Sequence, residues 1–237
     1  MPKTSETVTL QVSDGTTMNA YVSHPDSSEP SEPRPGLMIF QEAFGVNRHI
    51  RDVTDRFAAQ GNVAIAPELY HRAAPGFNVG YDDLNSVIAQ ATRLTREGLV
   101  ADIEAAFGWL TSNPAVGDKK IGCVGFCMGG RVAVLANATV PIAAAVSYYG
   151  GVTPTMPELV PRLVAPTLFY WGALDKHIPA EQHRGFTDLL KEAGKPFVDV
   201  EFSNADHGFF CDERPAYNPE AAAESWALTL AFLKSNL

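Results

Sequence analysis

Gly125-Phe126-Cys127-Met128-Gly129-Gly130 lies between two apolar runs, residues 121–124 and 132–136. This order predicts a strand, a very tight turn and a buried helix, the arrangement called a nucleophile elbow. The central residue of such a turn has a strained backbone and points its side chain into a cleft. Flanking glycines are required because a Cβ there would collide with the neighbouring strand or helix. The side chain that this turn presents is the thiol of Cys127.

Two interpretations of Cys127 are open at this point. At a helix N-terminus the helix dipole favours the thiolate, and the backbone N–H of Met128 would point to where an oxyanion forms. Alternatively, Cys127 is a small buried residue, since Gly-rich turns after strands also serve nucleotide binding and ordinary packing. The choice depends on partner residues elsewhere in the chain.

Length and charge limit the class of protein. The 237 residues suit one α/β domain spanning residues 1–237, although length alone would also permit two small domains. A formal net charge of −9 argues against nucleic acid or an anionic membrane as a partner, because both require a basic face. No apolar run approaches the roughly 18 residues of a membrane span, and residues 1–9 show no signal-peptide core. We therefore expect a cytoplasmic protein, monomeric or a small homo-oligomer.

The cysteines give no sign of a metal or a disulfide framework. Cys123, Cys127 and Cys211 are odd in number and include no CxxC pair, so no metal and no cofactor is predicted. Cys123 lies on the strand before the elbow, and we expect it to be a core residue.

The remaining chain alternates between strand and helix patterns. Two strands joined at Asp14-Gly15 are predicted to form a hairpin. Further strands are predicted at residues 36–40, 63–67, 121–124, 142–148, 167–171 and 197–202, and helices at 48–60, 81–95, 99–110, 180–192 and 219–235. This alternation predicts an α/β fold with a mainly parallel central sheet and helices on both faces.

Two polar residues follow later strands and complete a catalytic pattern with Cys127. Asp175 comes after the strand at 167–171, and His207 comes after the strand at 197–202. Chemistry in such sheets gathers at the carboxyl ends of the strands. The order nucleophile, acid, histidine is that of α/β-hydrolases.

Each partner also has a structural interpretation. Asp175 could cap the helix that begins near Pro179. His207 could be a surface histidine, and Asp206 beside it is a rival acid. The other histidines considered, His71, His177 and His183, lack a matching context.

The chain resembles the dienelactone hydrolase family of α/β-hydrolases from about Val8 to its C-terminus. The resemblance rests on Gln41-Glu42-Ala43-Phe44-Gly45-Val46-Asn47, Pro67-Glu68-Leu69-Tyr70, the Cys127 elbow, Trp171-Gly172-Ala173-Leu174-Asp175 and His207-Gly208-Phe209.

The resemblance implies a role for each site residue. Cys127 would be the nucleophile of an ester or lactone, His207 its base and then acid, and Asp175 the residue that orients His207. It further implies that Glu42 reaches the Cys127 thiol and controls its ionisation, and that the N–H groups of Ala43 and Met128 form the oxyanion hole. The alternative for Glu42 is a residue that favours the start of the helix near Arg48.

One departure from the family concerns the substrate. Family members that act on dienelactone hold its carboxylate with arginines, one of them four residues after the histidine, where this chain has Cys211. Arg72 and Arg214 could replace that arginine or could be salt-bridged surface residues. Aromatic residues could line an apolar cleft or pack in the core. They are Phe44, Tyr70, Phe77, Tyr81, Phe209 and Phe210.

Three functions are therefore compatible with the sequence. The leading one is a Cys-His-Asp hydrolase of small carboxylic esters or lactones that works through a thioester. A phosphotriester hydrolase on the same triad, and a non-catalytic thiol redox sensor or ligand-binding protein, are the alternatives. The sequence also leaves open whether residues 81–110 form a lid.

Overall fold

A computed structural model describes residues 4–25 and 32–237. The chain divides into two compact units, residues 1–122 and 123–237. The predicted single domain therefore stays a prediction.

The first unit contains the strands β1 Thr4–Gln11, β2 Thr17–His24, β3 Gly36–Phe40 and β4 Val63–Pro67, and the helices α1 Arg48–Ala59, α2 Leu84–Ala91 and α3 Arg96–Ser112. Its four strands lie in the order β1-β2-β4-β3. β1 pairs with β2 and β2 with β4 in antiparallel fashion, whereas β3 and β4 are parallel.

Turn chemistry explains the predicted hairpin. The carboxylate of Asp14 accepts hydrogen bonds from the N–H of Thr16 at 3.0 Å and from its hydroxyl at 2.6 Å. Gly15 has φ +86°, which a residue with a Cβ rarely adopts. The hairpin prediction is confirmed.

Helix α1 begins and ends where its caps predict. Asn47 accepts a hydrogen bond from the N–H of Ile50 at 3.2 Å, and Gly61 has φ +91° just beyond the helix. The buried side chains of Ile50, Val53 and Phe57 face the sheet, and α1 packs against β2 and β4.

The first helix after β4 is shorter than predicted. The pattern at residues 81–95 predicts one helix, but α2 covers only Leu84–Ala91, and Thr95 caps the start of α3 by accepting the N–H of Gly98. Leu84 and Ile88 on α2 are 57% and 61% exposed.

The second unit contains strands that run parallel. They are β5 Ile121–Phe126, which begins two residues before the unit, β6 Ala144–Tyr148, β7 Thr167–Gly172 and β8 Phe197–Phe202, and the helices are α4 Met128–Asn137, α5 Ala180–Glu192 and α6 Pro219–Asn236. β6 pairs with β7 and β7 with β8, both in parallel fashion, and β5, β6, β7 and β8 follow one another in that order.

Packing in this unit is centred on β6. Helix α4 packs on β6, and α6 packs on β6 and β7. A 3₁₀ helix at Met156–Arg162 lies between β6 and β7, where no helix is predicted from the sequence. Within the described part of the chain, no helix is long and apolar enough to cross a membrane.

Candidate active site

Cys127 lies in the tight turn between β5 and α4. Its φ is +54° and its ψ −115°, a strained conformation for a residue with a side chain. A Cβ on Gly125 would overlap the carbonyl oxygen of Gly129, and a Cβ on Gly130 would lie 2.7 Å from the Cα of Gly150. The predicted need for glycine at both positions is confirmed.

The three thiols differ in exposure. Cys127 is half-buried, whereas Cys123 and Cys211 are fully buried. Burial raises the pKa of the Cys123 thiol, which lies 3.6 Å from the carbonyl oxygen of Ala133. Cys123 is thus a core residue, as predicted.

His207 stands between a carboxylate and the elbow thiol. Its Nε2 lies 3.0 Å from the Sγ of Cys127, and its Nδ1 lies 2.7 Å from the Oδ2 of Asp175. The loops after β5, β7 and β8 supply these three side chains. The structure therefore brings Cys127, His207 and Asp175 into one hydrogen-bonded chain within the second unit.

Asp175 is held in place by backbone groups. Its Oδ1 accepts hydrogen bonds from the N–H of His177 at 2.7 Å and of Ile178 at 3.2 Å, which leaves Oδ2 for His207. The N-cap of α5 is Pro179, so Asp175 does not cap that helix.

Asp206, the rival acid, has a different partner. Its carboxylate accepts the backbone N–H of His207 at 2.7 Å, rather than a ring nitrogen. This geometry leaves Asp175 as the carboxylate that contacts the imidazole.

The electrostatics stabilise a protonated imidazole. Burial lowers the pKa of His207, but the hydrogen bonds to Asp175 and Cys127 outweigh it and raise the pKa to about 10. For Asp175 the directions are reversed. Burial raises the pKa of its carboxyl group, but the hydrogen bonds from His207 and two backbone N–H groups outweigh burial and leave that pKa below its ordinary value. Asp175 and Cys127 thus stabilise the imidazolium that forms when His207 takes the proton of the Cys127 thiol.

Met128 is the first residue of α4. The amides in the first turn of a helix point along the axis from its N-terminus, where they can receive an anion. This position is compatible with the oxyanion role implied by the family resemblance.

The predicted residues of the first unit form a second cluster. Glu42 is fully buried, and it accepts a hydrogen bond from the hydroxyl of Tyr81 at 2.7 Å. The ring of Tyr81 lies 4.5 Å from that of Phe44, and the hydroxyl of Tyr70 donates to the carbonyl of Ala43 at 3.0 Å. The structure thus brings these five residues together. The N-cap of α1 is Asn47, and no acidic residue lies in the first turn of that helix.

Arg72 is paired with carboxylates of the protein itself, which argues against the prediction that it binds the substrate. Both terminal nitrogens of its guanidinium lie 2.9 Å from the carboxylate of Asp102, and its Nε lies 2.6 Å from Asp14. His71 contacts the same buried Asp102 at 2.9 Å. Arg72 and His71 therefore connect the loop after β4 to α3 and the hairpin.

Phe209 is likewise a core residue rather than a residue that contacts the substrate. It is fully buried, and its ring packs against those of Tyr149 and Phe202, each at 5.3 Å. Phe210 is 2% exposed and stacks on Phe126. Both belong to the core, because their rings pack against other aromatic rings and leave almost no surface for a substrate.

Arg214 lies beside the histidine loop. A Cβ on Gly208 would overlap the guanidinium of Arg214, so this arginine covers the residue that follows His207. Of the other histidines, His183 is buried against Trp171 at 4.8 Å, and the exposed His177 meets the ring of His207 at 5.5 Å.

Sequence reasoning missed Tyr149. Its ring lies 5.2 Å from that of His207, and its φ is +39°. Its place between a strand and Gly150-Gly151 is the signal that could have identified it.

Comparison with known proteins identifies relatives along nearly the whole chain. The model of the dienelactone hydrolase family matches residues 18–237. A carboxymethylenebutenolidase of Pseudomonas putida is 32% identical over 234 residues, which are 97% of this chain and 96% of that protein.

Solved structures of similar size share the fold. A Klebsiella pneumoniae protein provisionally assigned as a dienelactone hydrolase is 29% identical with a TM-score of 0.88, covering 98% of each chain. A dienelactone hydrolase-like promiscuous phosphotriesterase from metagenomic libraries is 26% identical with a TM-score of 0.85, covering 100% of this chain and 99% of that one. The predicted α/β-hydrolase fold with a mainly parallel sheet is confirmed.

Proposed function

We propose that this chain, which belongs to the dienelactone hydrolase family of hydrolases acting on lactone or ester bonds, uses Cys127 as its nucleophile, His207 as general base and acid, and Asp175 to orient His207. The observation that carries the proposal is the chain of contacts at 3.0 Å and 2.7 Å through the two ring nitrogens of His207. Nucleophile, base and orienting carboxylate within hydrogen-bond reach are the signature of covalent acyl transfer.

The first half of the reaction forms a thioester. The sulfur of Cys127 bonds to the carbonyl carbon while the Nε2 of His207 takes the thiol proton, and the carbonyl electrons move to oxygen. When the tetrahedral intermediate collapses, the ester C–O bond breaks and the leaving alkoxide takes the proton back from His207. In a lactone the alcohol stays attached to the acyl chain.

The second half restores the enzyme. His207 removes a proton from water as its oxygen attacks the thioester carbon, the C–S bond breaks, and the sulfur of Cys127 takes that proton. The product is a carboxylic acid. We further propose that the N–H of Met128 binds the oxyanion in both halves of the reaction.

We propose an uncharged ester or lactone as the substrate. Cys211 replaces the arginine that the resemblance leads one to expect, and it is fully buried. Arg72 is paired with Asp102 and Asp14, so it is not available to a substrate carboxylate.

A substrate panel tests the proposal. Wild type, Cys127→Ala and the matched control Cys123→Ala would be compared on p-nitrophenyl esters, dienelactone and a phosphate triester. We expect ester or lactone hydrolysis that Cys127→Ala loses and Cys123→Ala keeps. Preferred turnover of the triester would support the phosphotriesterase alternative. Absence of turnover, with a thiol that reacts rapidly and persistently with oxidant, would support a redox sensor.

A further inference from the structure

Tyr149 follows β6 and has a backbone conformation that tyrosine rarely adopts. Among the described residues other than glycine, only Cys127 and Tyr149 have positive φ, at +54° and +39°. Such strain persists where the surrounding structure imposes it, and it concentrates at functional sites. The two strained residues therefore call for a common explanation.

Hydrogen bonds at the strand ends connect both positions. The N–H of Cys127 donates to the carbonyl of Tyr148 at 3.0 Å, and the N–H of Tyr149 donates to the carbonyl of Tyr170 at 2.8 Å. Directly after Tyr149, the Cα of Gly150 packs against Gly130 in the first turn of α4. The turn at Tyr149 thus supports the elbow helix and fixes the direction of the Tyr149 side chain.

That side chain packs against the imidazole. The fully buried ring of Tyr149 lies 5.2 Å from the ring of His207 at an interplanar angle of 60°, and 5.3 Å from that of Phe209. The ring of His177 meets His207 at 5.5 Å and 77°. Aromatic rings at such distances and angles attract one another weakly.

Ring packing restrains a motion that the hydrogen bonds leave free. The contacts of His207 with Asp175 and Cys127 are made by its two ring nitrogens. These two contacts fix how the ring is turned within its own plane. They resist rotation of the ring about the line through its two nitrogens only weakly, because hydrogen bonds tolerate moderate deviations of their angles. A neighbouring ring against the imidazole resists that tilt by steric contact.

We propose that Tyr149 is a positioning residue whose ring holds the imidazole of His207 in the orientation that serves Asp175 and Cys127 together. This inference rests on the proposed function, in which His207 is the base. Besides Asp175, Cys127 and His177, the guanidinium of Arg214 lies close by, on the Cα of Gly208. The variants that test the role of Tyr149 must therefore leave these four residues unchanged.

The test uses Tyr149→Leu, which removes the ring, and Tyr149→Phe, which retains it. Phe186→Leu is the matched control, because Phe186 is a buried aromatic residue of α5 that packs against Phe169. Alkylation of Cys127 by iodoacetamide is followed across pH by mass spectrometry, and kcat and KM are measured on an ester. Alkylation requires no hydrolysis, so it tests the inference even where the proposed function fails.

In Tyr149→Leu we expect the alkylation midpoint to rise by about one pH unit, because a loosened imidazolium stabilises the thiolate less. We also expect kcat to fall about tenfold with little change in KM. Tyr149→Phe should recover most of both losses, and Phe186→Leu should shift only thermal stability. A wild-type midpoint in Tyr149→Leu, or an equal shift in Phe186→Leu, would overturn the inference. If Tyr149→Leu does not fold, Tyr149→Met provides the same comparison.

Discussion

At the scale of single residues, two neighbouring carboxylates illustrate how geometry divides roles. Asp175 contacts the imidazole of His207 at 2.7 Å, and Asp206 contacts the backbone N–H of the same residue at the same distance. Only Asp175 can stabilise a charge on the ring directly.

We therefore expect Asp175→Asn to lower kcat by roughly 10²–10⁴, since the amide can neither orient the ring in the same tautomer nor stabilise the imidazolium. Asp206→Asn is the matched control and should change kcat by less than about threefold, because it alters only a backbone contact. Steady-state kinetics on one ester measure both. Equal losses in the two variants would contradict the assignment of Asp175.

The shifted pKa values also predict a pH dependence of stability. The pKa of His207 is raised from 6.5 to about 10, so its stabilisation is complete below pH 6.5 and is lost as the pH rises through 10. The pKa of Asp175 is lowered from 3.8, so its contribution is present above that pH and is lost as the pH falls through the lowered value.

The free energy of unfolding of wild type should thus exceed that of His207→Gln most clearly near pH 6. The difference should shrink by an amount on the order of 3 kcal/mol as the pH approaches 10. Urea unfolding at several pH values gives this difference. A difference that does not vary with pH would show that the imidazolium is not stabilised.

At the scale of elements, the elbow depends on the close approach of β5 and α4. Gly125 is in contact with the backbone of Gly129, and backbone atoms cannot rotate away as a side chain can. Position 125 requires glycine because there is no room for a Cβ. By contrast, a Cβ on Gly108 of α3 would have no atom within 4 Å.

Gly125→Ala should therefore destabilise the protein by about 3 kcal/mol or more, or prevent folding. Gly108→Ala should stabilise it by about 0.5–1 kcal/mol, because alanine reduces the entropy of the unfolded chain and favours helix. Thermal unfolding should show a lower Tm than wild type for Gly125→Ala and a higher Tm for Gly108→Ala. A Gly125→Ala protein as stable as wild type would contradict the described elbow.

A second element-scale feature is the ion-pair network that joins α3 to the loop after β4. The buried carboxylate of Asp102 contacts both His71 and Arg72, and Arg72 continues to Asp14 in the hairpin. Removal of the Asp102 carboxylate would leave the guanidinium of Arg72 with Asp14 alone and the buried His71 without its hydrogen-bond partner.

Asp102→Ala should cost about 3–5 kcal/mol of the free energy of unfolding. Asp188→Ala removes an exposed ion pair with Lys191 and should cost less than about 1 kcal/mol. Chemical denaturation compares the two. A cost for Asp102→Ala no larger than that for Asp188→Ala would weaken the structural assignment of Arg72.

At the scale of the whole molecule, much of the fold could be predicted from local signals. Helix α5 and strand β8 have the predicted bounds, because their periodicity is clear and turn residues flank them. The positions of Cys127, Asp175 and His207 at strand ends follow from the same signals. The predicted cytoplasmic location and oligomeric state stay predictions.

Other features depend on contacts that are distant in sequence. Arg72 finds its partners 58 and 30 residues away, so its pairing cannot be derived from neighbouring residues. The burial of Phe209 depends on rings from other segments, Tyr149 and Phe202. The 3₁₀ helix at Met156–Arg162 contains two prolines, which favour a loop in any local interpretation.

The central claim is that Cys127 forms a thioester with the acyl group of the substrate. Its most direct test is acid quenching of the enzyme within the first turnover of an activated p-nitrophenyl ester, followed by mass spectrometry of its peptides. We predict a mass increase equal to the acyl group on the peptide that contains Cys127, and none in Cys127→Ala. Rapid hydrolysis with the acyl group on another residue, or retained by Cys127→Ala, would contradict the claim.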